Sequence, residues 1–356
     1  MVSFLNEIGI SLPTERTDLV VDHFNFDTIS ASEKHDVLVL DAPSPVRAGI
    51  KPLFSVGEGA ILALPRTVGH TLGASQLLTP ILRAPATAYS YNPKEQGDVV
   101  EADELFGAGA QLALVSAFQA RNSARVAVLG SAEMLQDKWF DAQVARQGNK
   151  KTATANREFA KWLSGWTFQE VGVLRVNSIE HRLKGDNETN PGIYRVKTEV
   201  VSDDFTALEY RWQWLTDLQS YSISVSEYSW DSWRPYALPE SDALQLEFSM
   251  LSPFHRLDLE PIETTADATV YGTTFILPDQ HGIFNFRVNY KRPFLSNVDE
   301  KNTVSVRHIA HDEWPRSFVI SGAWPWISGI GATVTGFLAF CAVWVYSRPA
   351  PTKKTQ

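Results

Sequence analysis

The stretch ISGIGATVTGFLAFCAVWV occupies residues 327–345, and residues 317–347 around it contain no Asp, Glu, Lys, Arg or His. As a helix rising about 1.5 Å per residue, the stretch covers about 28 Å, close to the hydrocarbon thickness of a bilayer. Amphipathic aromatic rings, which prefer the headgroup level, stand at both of its ends: Trp324, Trp326, Trp344 and Tyr346. The sequence therefore predicts one transmembrane helix over residues 324–346. A buried core helix of a soluble protein is the alternative.

The charges on either side predict how this helix is oriented. Arg348, Lys353 and Lys354 follow it without an acid, whereas residues 311–316 before it carry both signs. By the positive-inside rule, the tail (residues 347–356) faces the cytosol and the large N-terminal part lies in a lumenal or extracellular space. Lys353 and Lys354 also fit the K-K-x-x pattern of a dilysine retrieval signal of endoplasmic reticulum membrane proteins. A plain topology anchor is the alternative.

Length, charge and cysteine content bound the remainder of the chain. With 356 residues and 44% hydrophobic content, the chain is long enough for about two domains besides the helix. The net charge of −9 is spread without acidic runs or a basic patch, which argues against a nucleic-acid partner. The only cysteine, Cys341, lies in the predicted membrane helix. The exported part is therefore expected to be stabilised by packing without disulfides.

The N-terminal residues do not match this topology. Residues 1–7 have neither a basic n-region nor an apolar h-region, so no signal peptide is visible. We expect the natural precursor to begin further upstream. Insertion of the helix as a tail anchor is the alternative, and the charge asymmetry counts against it.

Residues 1–150 are expected to form an α/β layer of the flavodoxin-like or Rossmann-like type. Three apolar runs bounded by turn residues, 36–40, 59–64 and 125–130, are typical of buried parallel strands. Helices between such strands would complete the layer.

Two glycine motifs in this region fall short of a functional signature. Gly107-Ala108-Gly109 begins like a dinucleotide fingerprint, but Leu112 stands where the third glycine belongs. Gly130-Ser131-Ala132 lacks the spacing of a G-x-S-x-G nucleophile turn. Five histidines later in the chain do not have metal-ligand spacing: His181, His255, His281, His308 and His311. The sequence thus predicts no catalytic residue, no cofactor and no metal site.

The second half of the chain is rich in strands. Residues 151–165 are interpreted as a linker and a short helix capped by Asn156, and residues 166–316 as β-structure. Alternation of apolar and polar residues indicates strands with one buried face, in residues 192–200, 221–226, 244–248, 284–290 and 303–307. This pattern predicts a β-sandwich. It leaves open whether there is one sandwich or two small ones.

Two short motifs in this half bear on sugars. Asn187-Glu188-Thr189 is an N-glycosylation sequon in a polar turn, so Asn187 is expected to be glycosylated in a lumenal chain, although sequons also occur by chance. Residues 230–233 (WDSW) combine aromatic rings and an acid as sugar-binding sites do. Packing at the edge of a sheet explains this second motif equally well.

The predicted membrane helix has two different sides. At about 100° per residue, small residues fall on one side: Ser328, Gly329, Ala332, Thr335, Gly336 and Ala339. Bulky residues fall on the other: Ile330, Val334, Phe337, Leu338 and Cys341. Close backbone approach across small residues is the main attraction between helices in lipid. The small side therefore predicts a packing face for other membrane helices, with chance clustering as the alternative.

A series of blocks along the chain resembles a known family. They are residues 119–126 (QARNSARV), 130–131 (GS), 156–159 (NREF), 166–168 (WTF), 172–176 (GVLRV), 233–236 (WRPY), 245–254 (QLEFSMLSPF), 278–284 (PDQHGIF) and 305–308 (SVRH). In this order they resemble the 48-kDa (beta) subunit family of the oligosaccharyltransferase complex, from about residue 110 to the tail.

The resemblance implies a type I membrane protein of the endoplasmic reticulum with a lumenal α/β domain of the GIFT type, β-domains, one membrane helix and a dilysine tail. It implies a non-catalytic role in a complex that transfers a preassembled glycan from dolichol diphosphate to Asn in N-x-S/T. It also implies partners: a ribophorin-II-like subunit, a defender-against-death-like subunit, and a catalytic subunit that holds the metal and the donor.

The chain departs from the family in its first 100 residues, which match less clearly and lack the family's signal peptide and first strand. Two other classes remain as alternatives. One is a membrane-anchored α/β hydrolase or glycan-modifying enzyme, which needs a nucleophile, a base and an orienting acid around one pocket. The other is a cargo or lectin-like receptor.

Overall fold

The computed structural model of the chain describes most of its length. The described residues are 2–15, 17–43, 53–57, 59–93, 105–148, 150–183, 188–196, 218–308, 310 and 323–347. The chain divides into two compact units, Met1–Arg307 and His308–Gln356.

Four α-helices and twenty strands are described. The helices are α1 (Val2–Glu7), α2 (Asp137–Phe140), α3 (Asn156–Thr167) and α4 (Trp324–Tyr346). The strands up to α3 are β1 (Ile10–Ser11), β2 (Leu19–Val21), β3 (Val37–Asp41), β4 (Ile61–Pro65), β5 (Thr71–Leu72), β6 (Leu78–Arg83), β7 (Tyr89–Tyr91), β8 (Ala113–Gln119), β9 (Arg125–Leu129), β10 (Gln143–Val144) and β11 (Thr152–Ala153). The strands after α3 are β12 (Val171–Leu183), β13 (Ile193–Arg195), β14 (Leu218–Ser229), β15 (Ser232–Pro235), β16 (Leu244–Ser249), β17 (Pro253–Thr264), β18 (Thr269–Ile276), β19 (Gly282–Tyr290) and β20 (Val298–Arg307).

The three apolar runs predicted as strands in the first half do form β3, β4 and β9, but the prediction of parallel pairing was wrong. β3 pairs antiparallel with β4, and β9 pairs antiparallel with β8. Every strand pair described before α3 is antiparallel. A run buried on both faces is apolar throughout whatever the direction of its partner, so the pattern could not distinguish the two pairings. The parallel α/β layer is thus not seen in the described residues.

Helix α3 packs the first half of the chain together. Its residues Phe159, Leu163 and Trp166 are buried in one cluster with strands β3, β4 and β8. The predicted capping role of Asn156 was wrong, because its side chain is buried and bonds to β4. The amide oxygen of Asn156 accepts from Ala63 N at 3.0 Å, and its Nδ2 donates to Ala63 O at 2.8 Å. The asparagine therefore fixes the helix to the strand.

The second half forms one continuous path of strands, in the order β12-β14-β18-β17-β16-β19-β20-β13, with β15 beside β14. Strand β17 links the two halves of this path. Its first part, to Leu259, pairs with β16, and its last part, from Glu260, pairs with β18. All pairs are antiparallel except β13 with β20.

The two halves of this path, β12-β14-β18 and β16-β19-β20-β13, face each other across one core. Phe286 of β19 stacks on Tyr221 of β14 with ring centroids 5.5 Å apart, and Phe248 of β16 meets Phe275 of β18 at 5.4 Å. The predicted alternation is clear in β19, where Phe284, Phe286, Val288 and Tyr290 are buried and the residues between them are not. Each buried aromatic or aliphatic side chain contributes about 1.5–3 kcal/mol. Residues 197–200 of the first predicted run lie outside the described residues.

A buried arginine joins the two halves of this unit. The guanidinium of Arg125 in β9 donates to Trp166 O and Val171 O at 2.8 Å and to Gly172 O at 2.6 Å. It also lies over the Trp166 ring, 5.2 Å from the centroid. Burial lowers the pKa of Arg125 to about 10. The bonds to three carbonyls and the negative end of the α3 dipole favour its charged form.

The loop between β19 and β20 closes over this junction. The indole Nε1 of Trp166 donates to Phe294 O at 3.0 Å. Gly172 has φ of +68°, and a Cβ there would lie 2.6 Å from Phe294 O, so the position requires glycine. Ser296 Oγ accepts from Leu174 N at 2.6 Å and donates to Leu174 O at 3.1 Å. The start of β12 is thereby fixed to the loop.

Candidate membrane-embedded binding surface

Helix α4 has the length and composition of a membrane span. It is 23 residues long with a mean hydropathy of 1.7, and none of its most apolar window is buried. At about 1.5 Å per residue it is about 34 Å long. No side chain among the described residues of α4 is buried, unlike the mostly buried core helix of a soluble protein. An exposed helix of this composition requires lipid or apolar partners.

The serine and threonine hydroxyl groups of α4 are satisfied within the helix. Thr333 Oγ1 donates to Gly329 O at 2.8 Å, Thr335 Oγ1 to Gly331 O at 2.7 Å, and Ser328 Oγ to Pro325 O at 2.9 Å. Such bonds to a preceding carbonyl remove the cost of placing a hydroxyl in hydrocarbon. The polar residues of the helix are therefore compatible with a bilayer.

The six predicted packing residues all lie in α4. At 100° per residue they occupy an arc of about 120°. Within them Ser328, Ala332 and Gly336 are spaced by four residues, as in small-xxx-small packing motifs. A Cβ added at Gly329 or Gly336 would meet nothing within 4 Å, so the fold of the helix does not itself require glycine at either place. Packing of other helices against this side stays a prediction.

Three other predicted site residues cannot be placed. Asn187 of the sequon and Lys353 and Lys354 of the tail lie outside the described residues.

The glycine motifs of the first half are structural. Gly130 is packed so closely that a Cβ would lie 2.2 Å from Val68 O. Ser131 is 2% exposed, and its hydroxyl donates to Pro65 O. A hydroxyl held this way cannot reach a substrate, which agrees with a strand-ending turn. Gly107 is likewise a packing glycine, since a Cβ would lie 2.8 Å from Leu112.

Two histidines are buried in the fold. His70, which the sequence did not single out, shares a hydrogen bond between its Nε2 and Ser116 Oγ at 2.7 Å, and burial lowers its pKa to about 4. His181 bonds through Nδ1 to Tyr194 Oη at 2.7 Å and stacks on Phe286, and burial lowers its pKa. Burial disfavours the charged imidazolium, so both are neutral at physiological pH. In the described parts of the chain, no group of three or more His, Cys, Asp or Glu is arranged to hold a metal.

The comparisons with known proteins agree with the sequence blocks. The family model for the OST48 N-terminal domain matches residues 1–170, and the model for the OST48 middle domain matches residues 181–348. The chain belongs to the OST48 family. The second match extends to residue 348 and so includes α4 in the family's own pattern.

Curated relatives of this OST48-family chain come from fungi, plants and animals. The dolichyl-diphosphooligosaccharide–protein glycosyltransferase subunit wbp1 of Schizosaccharomyces pombe is 31% identical, over 99% of this chain and 74% of that protein. The 48 kDa subunit of Danio rerio is 31% identical and that of Arabidopsis thaliana 28%, each over 96% of this chain and 70% of the relative.

In this OST48-family chain the WDSW motif serves packing. Trp230, at the turn between β14 and β15, meets Trp162 of α3 at 5.5 Å and carries Lys161 Nζ over its ring at 4.6 Å. Its ring also rests on Gly165, where a Cβ would lie 2.7 Å away. The guanidinium of Arg175 lies 3.9 Å from the centroid of the Trp233 ring. These contacts occupy ring surface that a sugar would need.

Proposed function

We propose that this chain is a membrane-anchored, non-catalytic subunit of an oligosaccharyltransferase complex and acts in N-linked glycosylation. The observation that carries the proposal is the match of both OST48 domain models along the chain, ending with the apolar helix α4. The relatives are named as subunits of dolichyl-diphosphooligosaccharide–protein glycosyltransferase.

Burial of two chemically active side chains, Ser131 and His70, supports the non-catalytic part of this proposal. Ser131 lies in the motif that resembles a nucleophile turn, and His70 is a buried imidazole of the first half. Both are bonded within the core and nearly inaccessible to solvent. Candidates for acid–base or nucleophilic work must reach the reacting atom. These two side chains hold the fold together.

The proposed topology follows from the sequence around α4. Unit Met1–Arg307, with antiparallel strands packed on α3 in its first half and one β-sandwich in its second half, lies in the lumen of the endoplasmic reticulum. The tail lies in the cytosol, because three basic residues follow the helix. In this topology Asn187 is a glycosylation acceptor, and Lys353 and Lys354 form a dilysine retrieval signal.

The proposed partners contact the small-residue side of α4 and the lumenal unit. They are a ribophorin-II-like subunit, a defender-against-death-like subunit and the catalytic subunit. Helices associate in lipid mainly through close packing, because burial of apolar surface brings little gain there. A stripe of Ala, Gly, Ser and Thr on α4 provides such close approach.

Depletion with complementation tests the proposal. Cells that lose the chain are expected to underglycosylate many sequons together, and the chain should co-purify in mild detergent with the catalytic subunit. The full chain alone should transfer no glycan from a dolichol-linked donor to an N-x-T peptide. Normal sequon occupancy after depletion, or turnover by the purified chain that persists after removal of contaminating complex, would refute the proposal.

A further inference from the structure

Exposed aliphatic side chains lie beside the turn between β16 and β17 in the second half of the chain. Among the described residues from β12 to β20, five large hydrophobics are exposed: Ile193, Leu251, Ile262, Ile276 and Ile283. Single exposed residues of this kind are ordinary on protein surfaces. Their positions in the strand register decide whether they form a surface.

Three of them form a row across neighbouring strands. Ile193 of β13 and Ile283 of β19 are both register partners of Ser305 in β20, one from each side. In the ladder of β16 with β19, Ser249 faces Asn285, so the turn at Leu251 continues the row beside Ile283. The neighbouring Tyr194 and Phe284 point into the core. The row therefore lies on the outer face, and it is called the aliphatic row below.

The aliphatic row is highly exposed and ends in a protruding turn. Leu251 is 99% exposed, Ile283 65% and Ile193 59%. The turn is held in place, because Met250 N donates to Ser252 O at 3.3 Å and the Met250 sulfur packs against Gly282. Leu251 is thus a fixed apolar tip. Ile276, 46% exposed, ends β18, and its neighbour Phe275 contacts Phe248 near the same tip.

Strand β20, the last strand before the membrane helix α4, ends beside the aliphatic row. β20 ends at Arg307, two residues after Ser305, and residues 308–323 then lead to Trp324, the first residue of α4. Arg307 faces Arg195 of β13 across the ladder. Apolar side chains that protrude from a surface can enter the boundary between headgroups and acyl chains.

We propose that the aliphatic row, with Leu251 at its tip, inserts into the interface of the bilayer that α4 spans. Protein–protein hot spots are enriched in Trp, Tyr and Arg and poor in Leu, whereas this row protrudes and presents Ile and Leu side chains, with Ser305 between Ile193 and Ile283. The row lies near the end of β20, from which the chain leads to α4, so the lipid around α4 is the apolar phase nearest along the chain. The inference rests on the proposed anchoring by α4, and it adds a second membrane contact that limits tilting of the lumenal unit.

Single-cysteine variants of the full chain in lipid nanodiscs test this contact. Cys341 is the only native cysteine, so Cys341→Ala gives a background for Leu251→Cys and Ile283→Cys. Ala266→Cys is the matched control, because Ala266 is exposed in the turn at the other end of β17 from the tip. A nitroxide at each cysteine is probed by collision with oxygen, which concentrates in lipid, and with a water-soluble nickel chelate.

Labels at positions 251 and 283 are expected to collide more with oxygen than with nickel, and the label at 266 more with nickel. Ile283→Asp in the Leu251→Cys chain should reverse the ratio at 251. Native Cys341, labelled in the otherwise unchanged chain, reports the anchoring separately. If 341 lies in lipid and 251 is open to nickel, the tip proposal is wrong and the anchoring stands. If 341 is itself open to nickel, the anchoring is wrong. Protection of 251 from both probes would show a protein cover and would also overturn the tip proposal.

Discussion

Replacing Arg125 with leucine is expected to weaken the junction between the two halves of unit Met1–Arg307. Leucine keeps much of the apolar volume against Trp166 but removes three bonds to carbonyl oxygens. Each hydrogen bond from a charged group contributes about 1.5–3 kcal/mol. Two of the three carbonyls keep a backbone donor, since Trp166 O accepts from Gln169 N at 3.2 Å and Gly172 O from Ser296 N at 3.0 Å. Release of the guanidinium from its buried site offsets part of the loss, so we expect a decrease of about 2–4 kcal/mol in the free energy of unfolding.

The assay is denaturant unfolding of the full chain in mild detergent, followed by tryptophan fluorescence. Arg125→Lys keeps the charge but lacks a planar guanidinium that could bond to three carbonyls. Its free energy of unfolding should therefore fall by about half as much as that of Arg125→Leu. Arg157→Leu is the control, because Arg157 pairs with Asp141 at 2.9 Å with both side chains exposed, and surface pairs contribute about 0–1 kcal/mol. Equal midpoints for Arg125→Leu and Arg157→Leu would show that the buried guanidinium does not stabilise the junction.

Three further predictions follow from other parts of the structure. Acidification should destabilise the chain as pH falls from about 6.5 towards about 4. In this range the unfolded state binds a proton at His70, whereas the folded state does not, because burial lowers the pKa of His70 to about 4. The free energy of unfolding, measured across this range, should depend less steeply on pH in His70→Gln. Gly130→Ala should lower the free energy of unfolding by about 1–3 kcal/mol through overpacking, because the added Cβ would lie 2.2 Å from Val68 O. Gly192→Ala should leave the free energy of unfolding almost unchanged in the same assay, because a Cβ there would meet nothing within 4 Å. Gly336→Leu should release the chain from its membrane partners in mild detergent while Phe337→Leu does not; equal co-purification of the two variants would mean that lumenal contacts drive assembly.

Five strands of the second half, β13, β14, β16, β19 and β20, could be predicted because apolar and polar residues alternate in their sequences. In β19 the alternation of buried Phe284, Phe286 and Val288 with solvent-facing residues is written directly in the sequence. The register partners could not be predicted, because pairing such as that of Ile193 with Ser305 joins distant parts of the chain. The same applies to β3 and β4, whose apolar runs predicted strands but not their antiparallel direction.

Side chains that bond far along the chain were also misjudged or missed. Asn156 stands before a helical segment as a cap would, yet its partner is Ala63 in a strand 93 residues away. Arg125 gave no signal, since its partners at Trp166, Val171 and Gly172 come together only in the fold. Helix α4 needed no such information, because its apolar length is a local property. The choice of its small-residue side as a packing face is a prediction from spacing alone.

The loop that closes over Trp166 delays the complete folding of the first half while the chain is being synthesised. Trp166 donates its indole proton to Phe294, and Asn297 Nδ2 donates to Arg121 O at 3.0 Å, so the first half obtains these partners only after residue 297 has been made. At roughly 5–20 residues per second, the interval between residues 172 and 297 is about 6–25 s. For that time a nascent chain presents the aromatic cluster of Phe54 and Trp166 without Phe294 beside it. A chaperone that binds exposed aromatic segments would find its target in this window, and a chain terminated before residue 290 would keep the target permanently open.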